Sequence, residues 1–281
     1  MTPKTILITG ASDGIGAAAA AQLTADGHRV LITGRSTTKT ADVARSTGAK
    51  PLIADFTHLD DVRALATAVK AELGGAGLDV LANNAGGIFG DYTTTTDGYE
   101  KTFQVNHLAP FLLTHLLLDE LRAGDGGSVV NTSSVANRLF GHLDLDDLGN
   151  EKKYSPNKAY GDAKLANILF TRGLVAHYGR QGISSVAFHP GNVATNFASD
   201  STSLMRFVYR TPLKRLALIS SEKGGRNLTR LVEGTPGADW HSGDYWDQDE
   251  PSTKINAQAN DDSLLEGLWT RSASMVGLDR A

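Results

Sequence analysis

Two side chains that could act together in proton transfer stand one helical turn apart in the stretch "AYGDAKLANILF", residues 159–170. Tyr160 carries a phenol, and Lys164 carries an ammonium on the same face of the predicted helix. Free tyrosine has a pKa of about 10, and a nearby positive charge favours the phenolate and lowers that pKa. The pair fits a general acid–base site, and the alternative is a chance spacing on a helix surface.

The segments that must position this pair alternate between two types. Short apolar, β-branched runs lie at 5–9, 29–33, 50–54, 78–83, 128–133 and 183–188, with alanine- and leucine-rich stretches between them. This alternation predicts βαβ units and an α/β fold, a single Rossmann-type, doubly wound parallel sheet of about seven strands with helices on both faces. A final short strand is expected near "DYW" in the acidic run 239–250. No linker divides the chain, so 1–281 is predicted to be one nucleotide-binding domain.

Composition excludes several functions. The 281 residues are 41% hydrophobic with a formal net charge of -4, which predicts a folded core and gives no reason to expect nucleic acid as a partner. The chain contains no cysteine, which rules out disulfides and thiol catalysis, and its histidines show no metal-ligand spacing. No signal peptide and no membrane span are predicted, so the expected location is the cytoplasm.

A glycine-rich turn follows the first predicted strand directly, in "TGASDGIG" at 9–16. Glycines at a strand–helix junction allow close backbone approach to a pyrophosphate, which the N–H groups of the helix N-terminus attract. The predicted cofactor-binding residues here are Gly10, Ser12, Gly14, Ile15 and Gly16. The alternative is a turn that needs glycine for its geometry alone.

The end of the second strand bears on which cofactor is used. An acidic residue there would bond the ribose 2′-hydroxyl of NAD, but the sequence has Arg35 and Ser36 in "TGRS". A guanidinium offers a fork of donors to a 2′-phosphate, so NADP(H) is favoured over NAD(H). Asp13 argues the other way, because its charge would repel the phosphate.

The third strand ends in "ADF". Asp55 is predicted to accept a bond from the adenine amino group, with Phe56 beside the ring. The alternative for Asp55 is the N-cap of the following helix.

Together with "NNAGG" at 83–87 and "HPGNVAT" at 189–195, these motifs resemble the short-chain dehydrogenase/reductase family over essentially the whole chain. The stretches "FQVNHLAPFLLT" (103–114) and "LGNEKKYSPNKAYGDAKLANILFTRGL" (148–174) resemble its retinol dehydrogenase/WW-domain oxidoreductase branch. The resemblance implies hydride transfer between a nicotinamide and a lipophilic ketone, aldehyde or alcohol.

The resemblance also implies four catalytic residues. Tyr160 would donate the proton to the carbonyl oxygen in reduction, and Lys164 would lower the tyrosine pKa and hold the nicotinamide ribose. Ser134, rather than Ser133, would hydrogen-bond the substrate oxygen. Asn106 would bind a water that links Lys164 to solvent, the alternative being a mid-helix asparagine that bonds the backbone.

Further cofactor contacts are implied at the ends of the fourth and sixth strands. They are Asn83, Ala85 and Gly86 beside the adenosine ribose, and Pro190, Gly191, Val193 and Thr195 beside the nicotinamide carboxamide. His189 is interpreted as the end of a strand rather than as an acid–base group. Two departures stand out: Ala163 replaces the serine usual before the lysine, and Pro110 is expected to kink or break its helix.

The segment 197–220 is predicted to be an apolar lid over the substrate, the alternative being a helix packed on the sheet. Because the helix of Tyr160 is apolar nearly all round, a homodimer or homotetramer is expected. Two rival functions are a non-catalytic NADP-binding regulatory or scaffold protein and a sugar-nucleotide epimerase. The retained tyrosine and lysine argue against the first, and the glycine spacing argues against the second.

Overall fold

The computed structural model describes residues 2–124, 126–191 and 220–278. One sheet runs through this part of the chain, in the order β3-β2-β1-β4-β5-β6-β7-β8. Its strands are β1 (Thr5–Thr9), β2 (Arg29–Gly34), β3 (Lys50–Ile53), β4 (Val80–Asn83), β5 (Ser128–Thr132), β6 (Ser184–His189), β7 (Tyr245–Asp247) and β8 (Glu250–Pro251). The predicted α/β fold and the short strand near "DYW" are confirmed.

The sheet departs from the prediction at one edge. Strands β1 to β7 pair in parallel, and the two-residue β8 pairs antiparallel with β7. β8 was not predicted, because its two exposed residues, one of them a proline, carry no apolar alternation. The sheet therefore has eight strands rather than about seven.

Helices cover both faces of the sheet. They are α1 (Gly14–Ala25), α2 (Thr37–Thr47), α3 (Leu59–Leu73), α4 (Lys101–Phe103), α5 (Ala109–Leu116), α6 (Leu118–Ala123), α7 (Ala136–Leu139), α8 (Pro156–Tyr178), α9 (Ser221–Glu233) and α10 (Asp262–Met275). Alternate strand residues feed two cores, as the pleat requires. Ile6 and Ile8 share a core with α1 and α9, whereas Leu7 shares the other with α3, α5 and α8.

The apolar surface of α8 is covered within one chain. Every residue of α8 from Ala159 to Thr171 is buried. On the side away from the sheet, α10 packs so closely that a Cβ at Gly173 would lie 2.6 Å from Trp269 Cε3. This intrachain packing accounts for the apolar pattern on which the homodimer or homotetramer was predicted, and that assembly stays a prediction.

A π-helical turn, Gln104–Leu108, separates α4 from α5. Pro110, the second residue of α5, has no N–H to give to the carbonyl of Asn106, four residues earlier. The wider turn lets the helix continue into α5 without that bond, so the predicted kink or break at Pro110 takes the form of one π-helical turn and the helix does not end there. Among the described helices, none is both long enough and apolar enough to cross a membrane.

Candidate active site

The predicted site residues converge on a cleft at the carboxyl edge of the parallel strands. Its volume is about 830 Å³. It lies where the strand order reverses between β1 and β4, the place at which open α/β sheets bind ligands. Of the predicted residues, those lining it are Gly10, Ser12, Gly14, Ile15, Arg35, Ser36, Asp55, Phe56, Ala85, Gly86, Ser134, Tyr160, Lys164, Pro190 and Gly191. Gly16, Asn83 and Asn106 stand behind its wall.

The turn between β1 and α1 needs glycine at two of its positions for close packing. Gly10 has a φ of 66°, and a Cβ there would lie 2.6 Å from the Cα of Ala85. A Cβ at Gly16 would lie 2.6 Å from the carbonyl oxygen of Gly10. Gly16 therefore allows the helix to pack closely against the turn, while the residues beside Gly16 line the cleft.

The end of β2 brings two cations to the cleft. Arg35 is exposed there, and Ser36 caps α2 by accepting a bond from the Lys39 N–H. Lys39, in the first turn of α2, also lines the cleft, and its Nζ lies 3.7 Å from Asp13 Oδ2. The sequence analysis missed Lys39, although a basic residue four positions after Arg35 is a readable signal.

Asp55 lines the cleft but does not cap α3. Its Oδ1 accepts bonds from the N–H and the hydroxyl of Thr57, both at 2.9 Å, and closes a local turn. The N–H of Leu59, at the start of α3, donates instead to Asp97 Oδ2 at 2.9 Å. The alternative reading of Asp55 as the helix N-cap is therefore wrong, because a distant side chain takes that role.

The residues after β4 divide between the sheet and the cleft. Asn83 is buried and donates to Thr114 Oγ1 and Asn131 Oδ1, both at 3.0 Å, so it ties β4 to α5 and β5. Its neighbour Asn84 lines the cleft and donates to the Thr9 carbonyl at 2.9 Å. Asn84, which the sequence analysis missed within "NNAGG", therefore holds the β4 loop against the glycine turn.

Tyr160 and Lys164 line the cleft from α8. The Lys164 Nζ lies 5.4 Å from the centre of the Tyr160 ring and donates to the Thr132 carbonyl at 3.1 Å. Lys164 is buried, and this burial lowers the pKa of its ammonium to about 7. The two side chains thus share one face of the helix and the same wall of the cleft.

The serines after β5 have different surroundings. The hydroxyl of Ser133 is buried and donates to the Lys164 carbonyl at 2.8 Å, which fastens α8 to the end of β5. Ser134 Oγ accepts a bond from the Ala136 N–H at 3.2 Å and retains its own hydrogen as a donor. This geometry favours the second serine for contact with a substrate oxygen.

Asn106 supports the cleft from behind. Its Oδ1 accepts from the Gly87 N–H at 3.0 Å, and its Nδ2 donates to the carbonyls of Gly87 and Thr102 at 2.9 and 2.8 Å. Both amide hydrogens are therefore used within the protein. The predicted water relay through Asn106 would therefore have to use its backbone carbonyl. That carbonyl lacks its ordinary α-helical donor, because residue 110 is a proline and has no N–H.

Replacing Gly86 by alanine is expected to destabilise the fold by about 1–3 kcal/mol and to lower turnover. The added Cβ would overlap Asn106 Oδ1 and lie 3.1 Å from Lys164 Nζ, and the buried Asn106 cannot move without losing its bonds. Urea unfolding and steady-state turnover measure the two effects. Gly179→Ala is the control, because its nearest contact would be an ordinary 3.5 Å, and equal behaviour of the two variants would contradict the prediction.

The end of β6 closes the cleft beside Tyr160. Pro190 and Gly191 line it, and Pro190 accepts a bond from Asn227 at 3.0 Å. Burial lowers the pKa of His189 to about 4, opposed by Asp247, so its imidazole is neutral at physiological pH. Val193, Thr195 and the predicted lid at 197–220, apart from Ser220, lie outside the described residues.

In this α/β fold one cleft is lined both by the glycine-rich turn after β1 and by a tyrosine, a lysine and a serine, Tyr160, Lys164 and Ser134. A family model described as "short chain dehydrogenase" matches residues 4–205. The chain therefore belongs to the short-chain dehydrogenase/reductase family, as the motifs predicted. It is an oxidoreductase that transfers hydride between a nicotinamide cofactor and a carbonyl or alcohol group.

Named relatives fall in the predicted branch. A Streptomyces protein named "Putative daunorubicin C-13 ketoreductase DnrU" is 37% identical over 98% of this chain and 93% of its own length. Human retinol dehydrogenase 12 is 34% identical over 98% of this chain and 87% of its own. A crystal structure of an uncharacterized protein from Mycobacterium Paratuberculosis has a TM-score of 0.77 at 30% identity, covering 98% of this chain and 93% of the other.

Proposed function

We propose that this chain is an NADP(H)-dependent carbonyl reductase or alcohol dehydrogenase acting on lipophilic ketones or aldehydes. The observation that carries the proposal is the cleft itself, which brings Ser134, Tyr160 and Lys164 to one end and the glycine turn with Arg35 to the other. The cytoplasmic location and the single-domain organisation stay predictions.

The residues present fit a nicotinamide dinucleotide. The cleft is long enough to extend from the turn after β1 to the end of β6, and Gly10 and Gly86 both line it. Lys164 makes one side-chain hydrogen bond within the described residues, so two of its three donors can serve a bound ribose. When bound, the nicotinamide supplies or accepts the hydride.

The side chains of the protein then carry out the proton transfer. Tyr160 is placed to donate its phenolic hydrogen to a carbonyl oxygen, and Ser134 can donate to the same oxygen as negative charge develops. Lys164, positively charged below its pKa of about 7, stabilises the tyrosinate that remains. The reverse sequence of proton transfers serves alcohol oxidation.

The preference for NADP(H) rests on two cations. Arg35 and Lys39 both line the adenosine end of the cleft, where no acidic residue ends β2. Asp13, whose charge argued against a 2′-phosphate, lies 3.7 Å from Lys39 and caps α1 by accepting from the Gly14 N–H. Its charge is therefore partly compensated, and the net field at this end favours a dianionic phosphate.

Arg35→Ala is expected to reduce the preference for NADPH over NADH, measured as a ratio of kcat/KM values, by roughly tenfold or more, since a charge-assisted hydrogen bond to phosphate is lost. Lys39→Ala should act in the same direction. Arg45→Ala is the matched control, because Arg45 lies on α2, pairs with Asp42 and does not line the cleft. A preference for NADH in the unmodified protein would overturn the cofactor assignment.

The lipophilic substrate class is supported by apolar residues near Tyr160. Ile88 and Phe89 lie in the loop after β4, Leu139 ends α7 and Phe140 follows it, and all four line the cleft. Apolar walls with few polar groups are typical of sites for lipophilic ligands. The printed names of the relatives, a daunorubicin ketoreductase and retinol dehydrogenases, are consistent with this class.

A further inference from the structure

Two large apolar side chains at the catalytic end of the cleft are unusually exposed. Leu139 is 59% exposed and Phe140 is 47% exposed, and both line the cleft only five and six residues after Ser134. Burying such side chains is worth about 1.5–3 kcal/mol each, so a fold gains by covering them. Adjacent exposed apolar groups inside a cleft indicate a surface for an apolar ligand.

This apolar wall is held rigidly against the catalytic helix. A Cβ at Gly161, the residue after Tyr160, would lie 2.7 Å from the Gly141 nitrogen and 2.8 Å from the carbonyl carbon of Phe140. The loop therefore touches α8 directly, at the position of the catalytic tyrosine. Any larger residue at 161 would push the wall away from the site.

A hydrogen-bonded clamp fixes the same loop from the other side. Asn256 donates from its side chain to the carbonyls of Asn137 and Gly141, at 2.8 and 2.7 Å, and its N–H donates to Asn137 Oδ1 at 3.0 Å. The side chain of Asn137 donates in turn to the Ser134 carbonyl at 2.6 Å. The positions of Leu139 and Phe140 are thus fixed relative to Ser134 and Tyr160.

One polar side chain interrupts this apolar end of the cleft. Asn157 is exposed, lines the cleft and lies three residues before Tyr160 on α8. Residues three apart on a helix have Cβ atoms about 5–6 Å apart on the same face. Within the described ranges, the Asn157 side chain makes no hydrogen bond, so its amide offers both a donor and an acceptor to a ligand.

We propose that Asn157 determines substrate specificity by binding a second oxygen of the substrate, about one helical turn from the carbonyl that Tyr160 protonates. Leu139 and Phe140 hold the apolar ring system that carries both oxygens. The substrate class is therefore a ring-containing lipophilic carbonyl compound with a second hydroxyl or carbonyl group. This inference rests on the proposed function and narrows it.

The test uses α-tetralone derivatives as probes, with NADPH as the reductant. Ketones with a hydroxyl on the aromatic ring, away from the reacting carbonyl, are compared with the same ketones carrying a methyl group instead. Asn157→Ala is expected to raise KM for the hydroxylated ketones by about threefold to tenfold at unchanged kcat, the effect of one lost hydrogen bond, and to leave the methylated ketones unaffected. Asn157→Leu should reverse the preference in favour of the methylated ketones.

Two further variants separate the wall from the fold. Leu139→Ala is expected to raise KM for both sets of ketones alike, with little change in stability because the side chain is already exposed. Lys153→Ala is the control, since Lys153 is exposed just before α8 and does not line the cleft. It should leave both KM values unchanged.

The outcomes distinguish this inference from the proposed function. If the ketones are reduced but the Asn157 variants show the same preference between hydroxylated and methylated ketones as the unmodified protein, the inference is overturned and the proposed function stands. NADPH binding, followed by its fluorescence, without reduction of any α-tetralone would overturn the substrate class inferred here. Absence of NADPH binding would contradict the proposed function itself.

Discussion

Tyr160→Phe is expected to lower kcat by a factor of roughly 10²–10⁴, the usual contribution of a positioned general acid. The change removes only the phenolic oxygen, so the buried ring keeps its packing on α8. Lys164, Ser134 and the glycine turn are untouched, and NADPH affinity should stay within a few-fold of its original value. Turnover of a lipophilic ketone and titration of NADPH fluorescence measure the two quantities separately.

Tyr178→Phe is the matched control for this experiment. Tyr178 lies at the end of the same helix, contacts the Arg122 guanidinium and does not line the cleft, so its phenol should be dispensable for turnover. Full turnover by the Tyr160 variant would disprove the proposed acid. Tight NADPH binding by the unmodified protein without turnover of any carbonyl would instead favour the regulatory or scaffold alternative.

Most strands of the sheet were predictable because burial on both faces leaves a strong signal, and β3, which has no buried residue, was predictable from its place in the βα alternation. Each of the six apolar runs became a strand, and β1 occupies Thr5–Thr9 as predicted. The edge strand β8 was not predictable, because its pairing with β7 depends on a turn around Gln248, where φ is 61°. A local turn that creates a two-residue strand leaves no periodic pattern.

The residues of the site likewise differ in how well the sequence alone predicts their surroundings. The glycine turn, Ser134, Tyr160 and Lys164 are local motifs next to strand ends, and the cleft brings them together. The Asn106 side chain bonds Thr102, four residues earlier on the same helical stretch, and also Gly87, which only the fold brings close to it. Its side chain therefore supports the wall of the cleft, which its spacing in the sequence did not indicate.

The packing between distant segments could not be predicted from the sequence either. The apolar surface of α8 could have faced a second subunit or another helix, and the sequence alone does not reveal that α10 packs on it, with Trp269 against Gly173. Likewise, the exposure of Leu139 and Phe140 depends on Gly161 and Asn256, which lie far apart in the chain. A hydrophobic residue in a sequence does not reveal which surface it will face.

Acidification from pH 7.5 to pH 5 is expected to destabilise the protein strongly through its buried histidines, His189 and two others near the α5–α10 contact. Burial lowers the pKa of His107 and of His115 to about 4 from an unfolded value of about 6.5. Between pH 4 and pH 6.5 the unfolded chain binds more protons than the folded one, so stability falls as the pH falls through this window. Linkage gives a loss of roughly 2 kcal/mol per histidine at pH 5.

The surroundings of His107 and His115 explain why protonating either imidazole in the folded protein is costly in free energy. His107 Nε2 lies 2.9 Å from Ser272 Oγ on α10, and the ring packs against Phe103 and Phe111. His115 bonds the Phe111 carbonyl and packs against Trp269, with His177 nearby to repel a second positive charge. A charge at either position would be desolvated, and no carboxylate of the described residues forms an ion pair with either imidazole.

The two histidines can be tested by the pH dependence of urea unfolding in His107→Gln and His115→Gln. Each variant is expected to be less stable than the parent at pH 7.5, because native packing is lost, yet to lose roughly 2 kcal/mol less between pH 7.5 and pH 5. Burial raises the pKa of Glu100 and Asp162, which opposes acid unfolding, but both carboxyls act equally in parent and variants. His241→Gln, at an exposed imidazole, should match the parent, and parallel losses in all four proteins would refute the assignment.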